Sequence, residues 1–430
     1  MKVNGNLYSS DRVCGLLFTE CYDNEFEGDT IVTVQKQKGY IMNVEEHFLA
    51  VKDNPFLRGY ADKYNSYRDL PVLDKEQLRK LIDHNFKIEE ESRGVHLLRT
   101  GGTTGESLII PIDPNENTYQ RQLIVNALKR EGLIEPTDIC INLFNYKHLY
   151  RSASLTDHII ERAGATSVGL GAVTPDEYVM NFSRLLKANT IVGTPTRVLQ
   201  LANYLKEVGQ KFKFRKMIFA GEVLPEYFLR IIREQMGVEK IVGLYGALEI
   251  GTFAYCDYTS TPDKYKILDS MVNIDIEQED KEGYGNMIIT NLVKKRFPVI
   301  KYRLGNIVRL SEEDGKLCFE IKSRGAFGFR IKQNYVFEND IKPIVKECER
   351  YQIILSCNEQ KKTRISVLVS GASIDNQKLH KVENDIREVI AIDPSQYDLD
   401  VIKAIDKDYV INTVSMKSPV FVDERNKISI

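Results

Sequence analysis

The sequence predicts an α/β protein, with a large N-terminal domain on a mostly parallel sheet plus an antiparallel β region, and a small α+β C-terminal domain. Three observations carry this expectation. From about residue 116 to residue 246, short apolar runs alternate with segments of helical periodicity, the pattern of strands joined by crossover helices. After about residue 255 the helices stop, and β-like runs follow one another across turn-rich spacers. Beyond Arg324 helical and strand-like segments mix again. A chain of 430 residues is also too long for one core, so domains are expected at 1–323 and 324–430. Residues 1–45 form an extension whose role the pattern does not define.

In chain order, "DTIVTVQ" and "KGYIM" read as short strands of the extension. In "LPVLDKEQLRKLIDHNF", Asp74 is placed to cap a helix whose apolar face carries Leu78, Leu81 and Ile82. "NTYQRQLIVNALKREG" is helical, with Leu123, Val125 and Leu128 inward and a stop at Gly132. "DICINLF" is a buried strand, "LTDHIIERAG" a helix and "ATSVGLG" a strand. "TPDEYVMNFSRLLKA" is a helix with Thr174 as cap and Pro175 in the first turn. The strands "NTIVGTP", "KMIFAGE" and "KIVGLYG" then alternate with the helices "PTRVLQLANYLKEVG" and "LPEYFLRIIREQMG". Three strands end in Gly193-Thr194-Pro195, Gly221-Glu222 and Tyr245-Gly246. Parallel strands would bring these ends to one edge, where ligands of open α/β sheets collect. "YKILDSMVNIDIEQ", "GNMIITNLV", "PVIKYRLGNIVRL" and "KLCFEIKSRG" make the antiparallel region. "NDIKPIVKECER", "RISVLVSG" and "NQKLHKVENDIREVIA" belong to the α+β segment, followed by a short basic tail.

Composition narrows the function. Hydrophobic residues are 43% and charged residues 28%, as in soluble globular proteins. A net charge of −2 offers no electrostatic footprint for nucleic acid. No apolar run reaches the ~18 to 20 residues that span a bilayer, and "MKVNGNLYSSDR" is not a signal peptide, so a cytoplasmic protein without a membrane partner is expected. The cysteines Cys14, Cys21, Cys140, Cys256, Cys318, Cys348 and Cys357 are scattered, with no CxxC spacing. Neither a disulfide framework nor a zinc site is expected. His148 and His158 stand open between a substrate-pocket role and plain surface or core positions.

The stretch "LLRTGGTTGESLIIPI", residues 97–112, places Thr100, Gly101, Gly102, Thr103, Thr104 and Gly105 between two apolar runs. It lacks the lysine of a GxxxxGK[ST] loop, and a strand follows rather than a helix. Consecutive N–H groups in a glycine turn can form an anion-binding nest, and three hydroxyls add donors. A flexible hairpin turn is the alternative.

"TGGTTGE" resembles the phosphate loop of the adenylate-forming ligases. Further segments resemble those of the phenylacetate–coenzyme A ligase branch, which includes coenzyme F390 synthetase-like proteins. They are "NPFLRGY…LPVLDKEQLR", "FAGEVLP", "LYGALEIG" (a YGxTE motif), "PVIKYRLGNIVRL" (a YRTGD motif), "KSRGAFGFRIKQNYVF" (the hinge) and "VSMKSPVFVDER" (the lysine segment). They occur in the family's order over residues 54–425. The resemblance implies ATP-dependent activation of a carboxylic acid as an acyl-adenylate, with transfer to coenzyme A. Thr100 to Gly105 would hold the β- and γ-phosphates. Gly221 and Glu222 would border adenine, with Tyr245 and Gly246 against it, and Asn306 would bind the ribose. Glu249 would ligate Mg²⁺. Arg324 would lie at the hinge of a mobile C-terminal lid carrying Lys417, which would bridge the carboxylate and the α-phosphate. Phe144, Tyr146 and His148 would line the acid pocket, suggesting an aromatic acid. The partner is a small carboxylic acid, and a homodimer is left open. In this branch a Cys/His group often follows YGxTE, but here Cys256 stands without partners.

Several positions depart from the family pattern. Glu106 replaces a lysine, Leu248 a threonine and Asn306 an aspartate. Ala326, Phe327 and Gln333 replace the acidic pair and glycine of the hinge. Two function classes follow: an active ligase using coenzyme A or another acceptor, or a repurposed, non-catalytic nucleotide binder.

Overall fold

The structure, a computed structural model, describes residues 43–99, 108–146, 149–222, 224, 226–323, 328–331, 334–358, 362–411 and 417–425. The expected strands before residue 43, the segment Thr100–Gly105 with Glu106, His148, Arg324, and the hinge positions Ala326, Phe327 and Gln333 lie outside the described residues.

Helix α1 (Val44–Val51) buries His47, Phe48 and Val51. Helix α2 (Lys75–Asn85) starts as the sequence indicates. Asp74 accepts from the Gln77 backbone N–H at 2.8 Å, and the Gln77 side chain accepts from the Asp74 N–H at 2.8 Å. A cap of this kind contributes about 1 kcal/mol. Strands β1 (His96–Arg99) and β2 (Ile109–Ile112) flank the glycine–threonine segment and pair antiparallel, His96 opposite Ile112 and Arg99 opposite Ile109. Helix α3 (Pro114–Arg130) begins three residues earlier than the periodicity suggests. Asp113 caps it, accepting from Asn115 N–H at 2.9 Å, and Pro114 occupies the first turn.

The expected alternation then follows: β3 (Ile139–Asn142), α4 (Ser152–Arg162), β4 (Thr166–Gly169), α5 (Asp176–Leu185), β5 (Thr190–Gly193), α6 (Pro195–Glu207), β6 (Lys216–Ala220), α7 (Glu226–Met236) and β7 (Lys240–Ala247). The strands are parallel neighbours in the order β4-β3-β5-β6-β7. One cap differs from expectation. Pro175, not Thr174, precedes α5, and the Thr174 hydroxyl donates back to the Leu170 carbonyl instead of capping the helix. At the amino ends of the strands, the buried Lys216 ammonium lies 2.5 Å from the buried Asp138 carboxylate.

The antiparallel strands extend the same sheet. β8 (Gly251–Asp257), β9 (Lys264–Ile267), β10 (Val272–Glu277), β11 (Gly285–Asn291), β12 (Tyr302–Glu313) and β13 (Lys316–Ser323) complete eleven strands in the order β10-β11-β12-β13-β9-β8-β7-β6-β5-β3-β4. The two halves meet at a register shift between Tyr245 and Gly246. A Cβ on Gly246 would lie 2.4 Å from the Gly251 carbonyl oxygen, so only glycine lets β8 fold back this closely.

After the hairpin β14 (Gly328–Ile331)/β15 (Asn334–Phe337) and the short α8 (Glu338–Ile341), a second sheet forms. It comprises β16 (Arg350–Cys357), β17 (Thr363–Ser370), β18 (Tyr397–Lys403) and β19 (Phe421–Asp423), in the order β18-β17-β16-β19. Helix α9 (Asn376–Ile390) covers it, and Ile353, Val367 and Ile386 help to form a second core, separate from that of the large sheet. Among the described residues no helix is long and apolar enough to cross a membrane.

Candidate active site

The carboxyl ends of β5 and β6 carry the first part of the site. Strand β3 stands between β4 and β5, so the connection leaving β3 turns towards β4 and that leaving β5 towards β6, which opens a crevice between the ends of β3 and β5. Thr194 caps α6 through the Arg197 N–H at 3.3 Å. Beyond β6, Gly221 has φ +85°, a left-handed conformation that favours glycine. Glu222 accepts from the Thr196 N–H at 2.9 Å, the Thr196 hydroxyl at 3.1 Å and the Ser418 N–H at 2.6 Å. Burial raises its pKa above the usual carboxylate value. The Thr196 N–H, the charge of Lys417, the Thr196 hydroxyl and the Ser418 N–H each pull it back.

Lys417 arrives from the small sheet's side of the molecule. A Cβ built on Gly221 would lie 2.9 Å from Lys417 Cε and 3.0 Å from its Nζ. Gly221 therefore serves twice, as a left-handed turn and as the floor under a lysine. The segment after Lys417 is tied down from the small sheet. Arg350 donates to the Ser418 hydroxyl at 2.8 Å and to Asp406 at 3.2 Å, and its guanidinium carbon lies 3.7 Å from the Tyr409 ring centre. Gln352 donates to the Pro419 carbonyl at 2.8 Å. Asp406 also accepts from Asn203 of α6 at 2.8 Å, which joins the two sheets' surroundings.

The turn Leu248–Ile250 between β7 and β8 carries Glu249. The residue is 9% exposed, and its carboxylate accepts a long bond from the Tyr302 hydroxyl, at 3.4 Å. Burial raises its pKa, which its own backbone N–H, Lys75, Lys294 and Tyr302 partly offset. The backbone of the turn is gripped from the end of β11. Asn291 donates to the Ile250 carbonyl at 2.7 Å and Lys294 to the Glu249 carbonyl at 2.6 Å. Burial lowers the Lys294 pKa to about 8, against the pull of Glu116 and Glu249.

Tyr245 is half-buried. Its ring centre lies 5.0 Å from that of Phe319, 5.3 Å from Tyr265 and 5.4 Å from Phe253. Asn306 lies in an irregularity of β12, where Arg303 pairs with Ile288 but Ile307 with Asn286, and the neighbouring Gly305 has φ +83°. The bulge leaves Asn306 only 7% exposed, with an Nδ2 that has no hydrogen-bond partner. Phe144 is packed in the main core at 5% exposure, whereas Tyr146 is 66% exposed, under the guanidinium of Arg151. Cys256 is a buried thiol, its pKa pushed up to about 12 by burial. Among the described residues no group of three His, Cys, Asp or Glu could hold a metal ion. A cleft of about 650 Å³ lined by Tyr60, Gln77, Lys80 and His84 includes none of the expected site residues.

The described geometry brings Gly221, Glu222 and Lys417 together. It sets Glu249 in its own braced turn and Asn306 in a bulge. Sequence reasoning missed Thr196, Asn291, Lys294, Arg350 and Ser418. Their partners lie 26 to 196 residues away, so no local spacing marks them.

No protein-family model matches the chain. It is similar to the indoleacetate–lysine synthetase of Pseudomonas savastanoi, with 25% identity over 382 residues, 84% of this chain and 92% of that protein. It is also similar to the phenylacetate–coenzyme A ligase of Pseudomonas putida, with 22% identity over 251 residues, 56% of each chain. Among solved structures, 2-hydroxyisobutyryl-CoA ligase in its postadenylation state aligns with a TM-score of 0.63 and 16% identity, covering 88% of this chain and 89% of that one. ATP-bound MatB from Rhodopseudomonas palustris aligns with a TM-score of 0.52 and 15% identity, covering 80% and 71%.

Proposed function

We propose that this chain, a relative of the adenylate-forming ligases with their fold, activates an organic carboxylic acid with ATP and passes the acyl group to coenzyme A. The observation that carries the reading is Lys417. It comes from the segment between β18 and β19 of the second sheet, 196 residues along the chain, and lies over Gly221 at the carboxyl end of β6.

In the proposed step a carboxylate oxygen of the acid attacks the α-phosphorus of ATP. The new O–P bond forms as the bond from that phosphorus to pyrophosphate breaks. The ammonium of Lys417 lies between the two anions and stabilises charge as it develops, with no reorganisation at the moment of reaction. Glu222 holds the lysine segment through the Ser418 N–H, and Arg350 holds it from the other side, which fixes the reacting geometry. Glu249 suits a Mg²⁺ ligand, being a buried carboxylate with no ion pair shown and a raised pKa, so a hard cation would relieve its desolvation. When bound, that ion would neutralise phosphate charge. The orphan Nδ2 of Asn306 suits a ribose hydroxyl as acceptor. Tyr245 and Gly246 would border the adenine, Thr100 to Gly105 would take the β- and γ-phosphates, and Arg324 would mark the hinge between 1–323 and a mobile lid at 324–430.

A second acceptor has a specific observation in its favour. The lysine-ligating relative matches 84% of this chain, against 56% for the coenzyme A ligase. Transfer to an amine is therefore the alternative to transfer to a thiol. Acid-dependent pyrophosphate release tests the first half-reaction. Mass spectrometry of the products with coenzyme A or lysine present separates the acceptors. No pyrophosphate release with any aromatic or aliphatic acid would leave the repurposed nucleotide binder as the better reading.

A further inference from the structure

A second group of charged side chains lies outside the machinery described so far. His96 from β1, Arg121 from α3, Arg151 just before α4 and His158 within α4 lie close enough for their charges to act on one another. Arg121 is 5% exposed. Its Nη1 contacts His158 Nδ1, while its Nε is buried without a partner. Arg151 also has a buried Nε without a partner, and so does His96 at Nδ1. Among the described residues no carboxylate forms an ion pair with either arginine.

Glu161 acts on the His158 ring, and the other neighbouring acids are engaged elsewhere. Asp113 accepts from Arg296 at 3.0 Å, pairs with Arg93 at 3.2 Å and caps α3. Asp157 accepts from Asn142 at 2.8 Å and from the Ser167 hydroxyl at 2.5 Å. Burial and the neighbouring charges of Arg151 and Arg162 lower the Arg121 pKa to about 10. His158 is held below its ordinary value first by burial and then by Arg121, so its neutral ring accepts from the guanidinium. A buried cation beside other cations destabilises a fold, and such an arrangement is retained where a ligand supplies the missing negative charge.

The position of the cluster indicates which ligand. Tyr146, expected to line the acid pocket, has its ring centre 5.8 Å from the Arg151 guanidinium carbon. Gln120, next to Arg121 on α3, has a side-chain oxygen only 2.5 Å from where a Cβ on Gly251 would lie, and Gly251 is two residues from Glu249. The same stretch of helix therefore borders both the Glu249 turn and the cluster. His96 pairs with Ile112 at one end of the β1/β2 hairpin, about 10 Å from Arg99 at ~3.3 Å per residue, and the Arg99 N–H donates to the Leu149 carbonyl at 3.2 Å, two residues before Arg151.

We propose that His96, Arg121, Arg151 and His158 form a subsite for a carboxylate. That group is either a second carboxylate on the acid being activated or the α-carboxylate of an amino-acid acceptor. A guanidinium fork matches the two oxygens of a carboxylate. The inference rests on the ligase reading and names its substrate class.

Two probe pairs separate the sources: terephthalate against benzoate, and lysine against 1,5-diaminopentane. Each is titrated by calorimetry and by thermal shift into the full chain without ATP, and then used in pyrophosphate-release and acyl-transfer assays. The subsite predicts that the carboxylate-bearing member of one pair binds at least tenfold tighter, and that Arg151→Gln and Arg121→Met each abolish the difference. Discrimination in the first pair assigns the acid, and discrimination in the second assigns the acceptor. It also predicts that Arg151→Gln raises Tm without ligand, because an uncompensated charge is removed, whereas a purely structural arginine would lower it. No discrimination in either pair, or discrimination unchanged in both variants, overturns the subsite. A protein that releases pyrophosphate without discriminating keeps the ligase reading and loses this one. A protein that discriminates but releases no pyrophosphate does the reverse.

Discussion

The backbone N–H of Ser418 lies 2.6 Å from the Glu222 carboxylate, across 196 residues of chain. The residue before Ser418 is Lys417 and the residue before Glu222 is Gly221, so this one bond sets a lysine over a strand end. Glu222→Gln keeps an acceptor but loses the charge that strengthens it. The expected result is a loss of about 1 to 2 kcal/mol of transition-state stabilisation, roughly tenfold or more in acid-dependent pyrophosphate release. ATP affinity should change far less, which a parallel calorimetric titration checks. Equal losses in rate and affinity would point instead to direct contact with the nucleotide.

Tyr245 is set among Phe253, Tyr265 and Phe319, which fix its ring. If the ring borders adenine, Tyr245→Ala should weaken ATP binding by roughly 1 to 2 kcal/mol, the worth of one aromatic contact with its buried area. Calorimetry on a folded variant measures it, and unchanged affinity removes Tyr245 from the site.

Glu249→Gln is nearly isosteric and removes only the anionic oxygen. Thermal stability should be unchanged or slightly raised, because a carboxylate that burial pushes toward neutrality gains little from ionising in the fold. Mg²⁺-dependent turnover should fall sharply. Normal turnover at every Mg²⁺ concentration would exclude it as the ligand.

His47 offers a pH test of stability. It is fully buried, neither ring nitrogen has a partner, and burial with the nearby Lys295 lowers its pKa to about 4. Between about pH 6.5 and pH 4 the unfolded chain binds a proton here that the folded chain does not, so stability falls as pH drops through that window. From pH 7 to pH 5 the contribution is about 2 kcal/mol. Denaturant titrations at the two pH values should show His47→Phe losing less than the wild type by that amount. An identical change in wild type and variant would mean that His47 titrates alike in the folded and unfolded chains.

Much of the architecture is legible in the sequence because short-range chemistry writes it there. Asp74 announces α2, and strand–helix alternation announces the parallel strands and the helices between them. Thr174 misleads because its hydroxyl has a competing backbone acceptor at Leu170. The continuity of the sheet is hidden because it depends on a single close approach, Gly246 against Gly251, which no periodicity reports. The site divides in the same way. Gly221, Glu222 and Glu249 stand at visible strand ends, but what holds them does not. Asn291 and Lys294 brace the Glu249 turn from another strand, and Arg350, stacked on Tyr409, positions Ser418 through a hydrogen bond to its hydroxyl. Such contacts depend on tertiary geometry and have no local pattern.

Lys417→Ala tests the central claim most directly. A lysine that merely decorates a surface contributes less than ~0.5 kcal/mol to stability and nothing to rate. One that stabilises charge developing between carboxylate and α-phosphate is worth about 3 to 4 kcal/mol, or 10²- to 10³-fold in rate. The measurement is acid-dependent pyrophosphate release by wild type and variant, beside an ATP titration of each. The account predicts at least a hundredfold loss of release with ATP affinity nearly unchanged. A variant that matches an active wild type would contradict it.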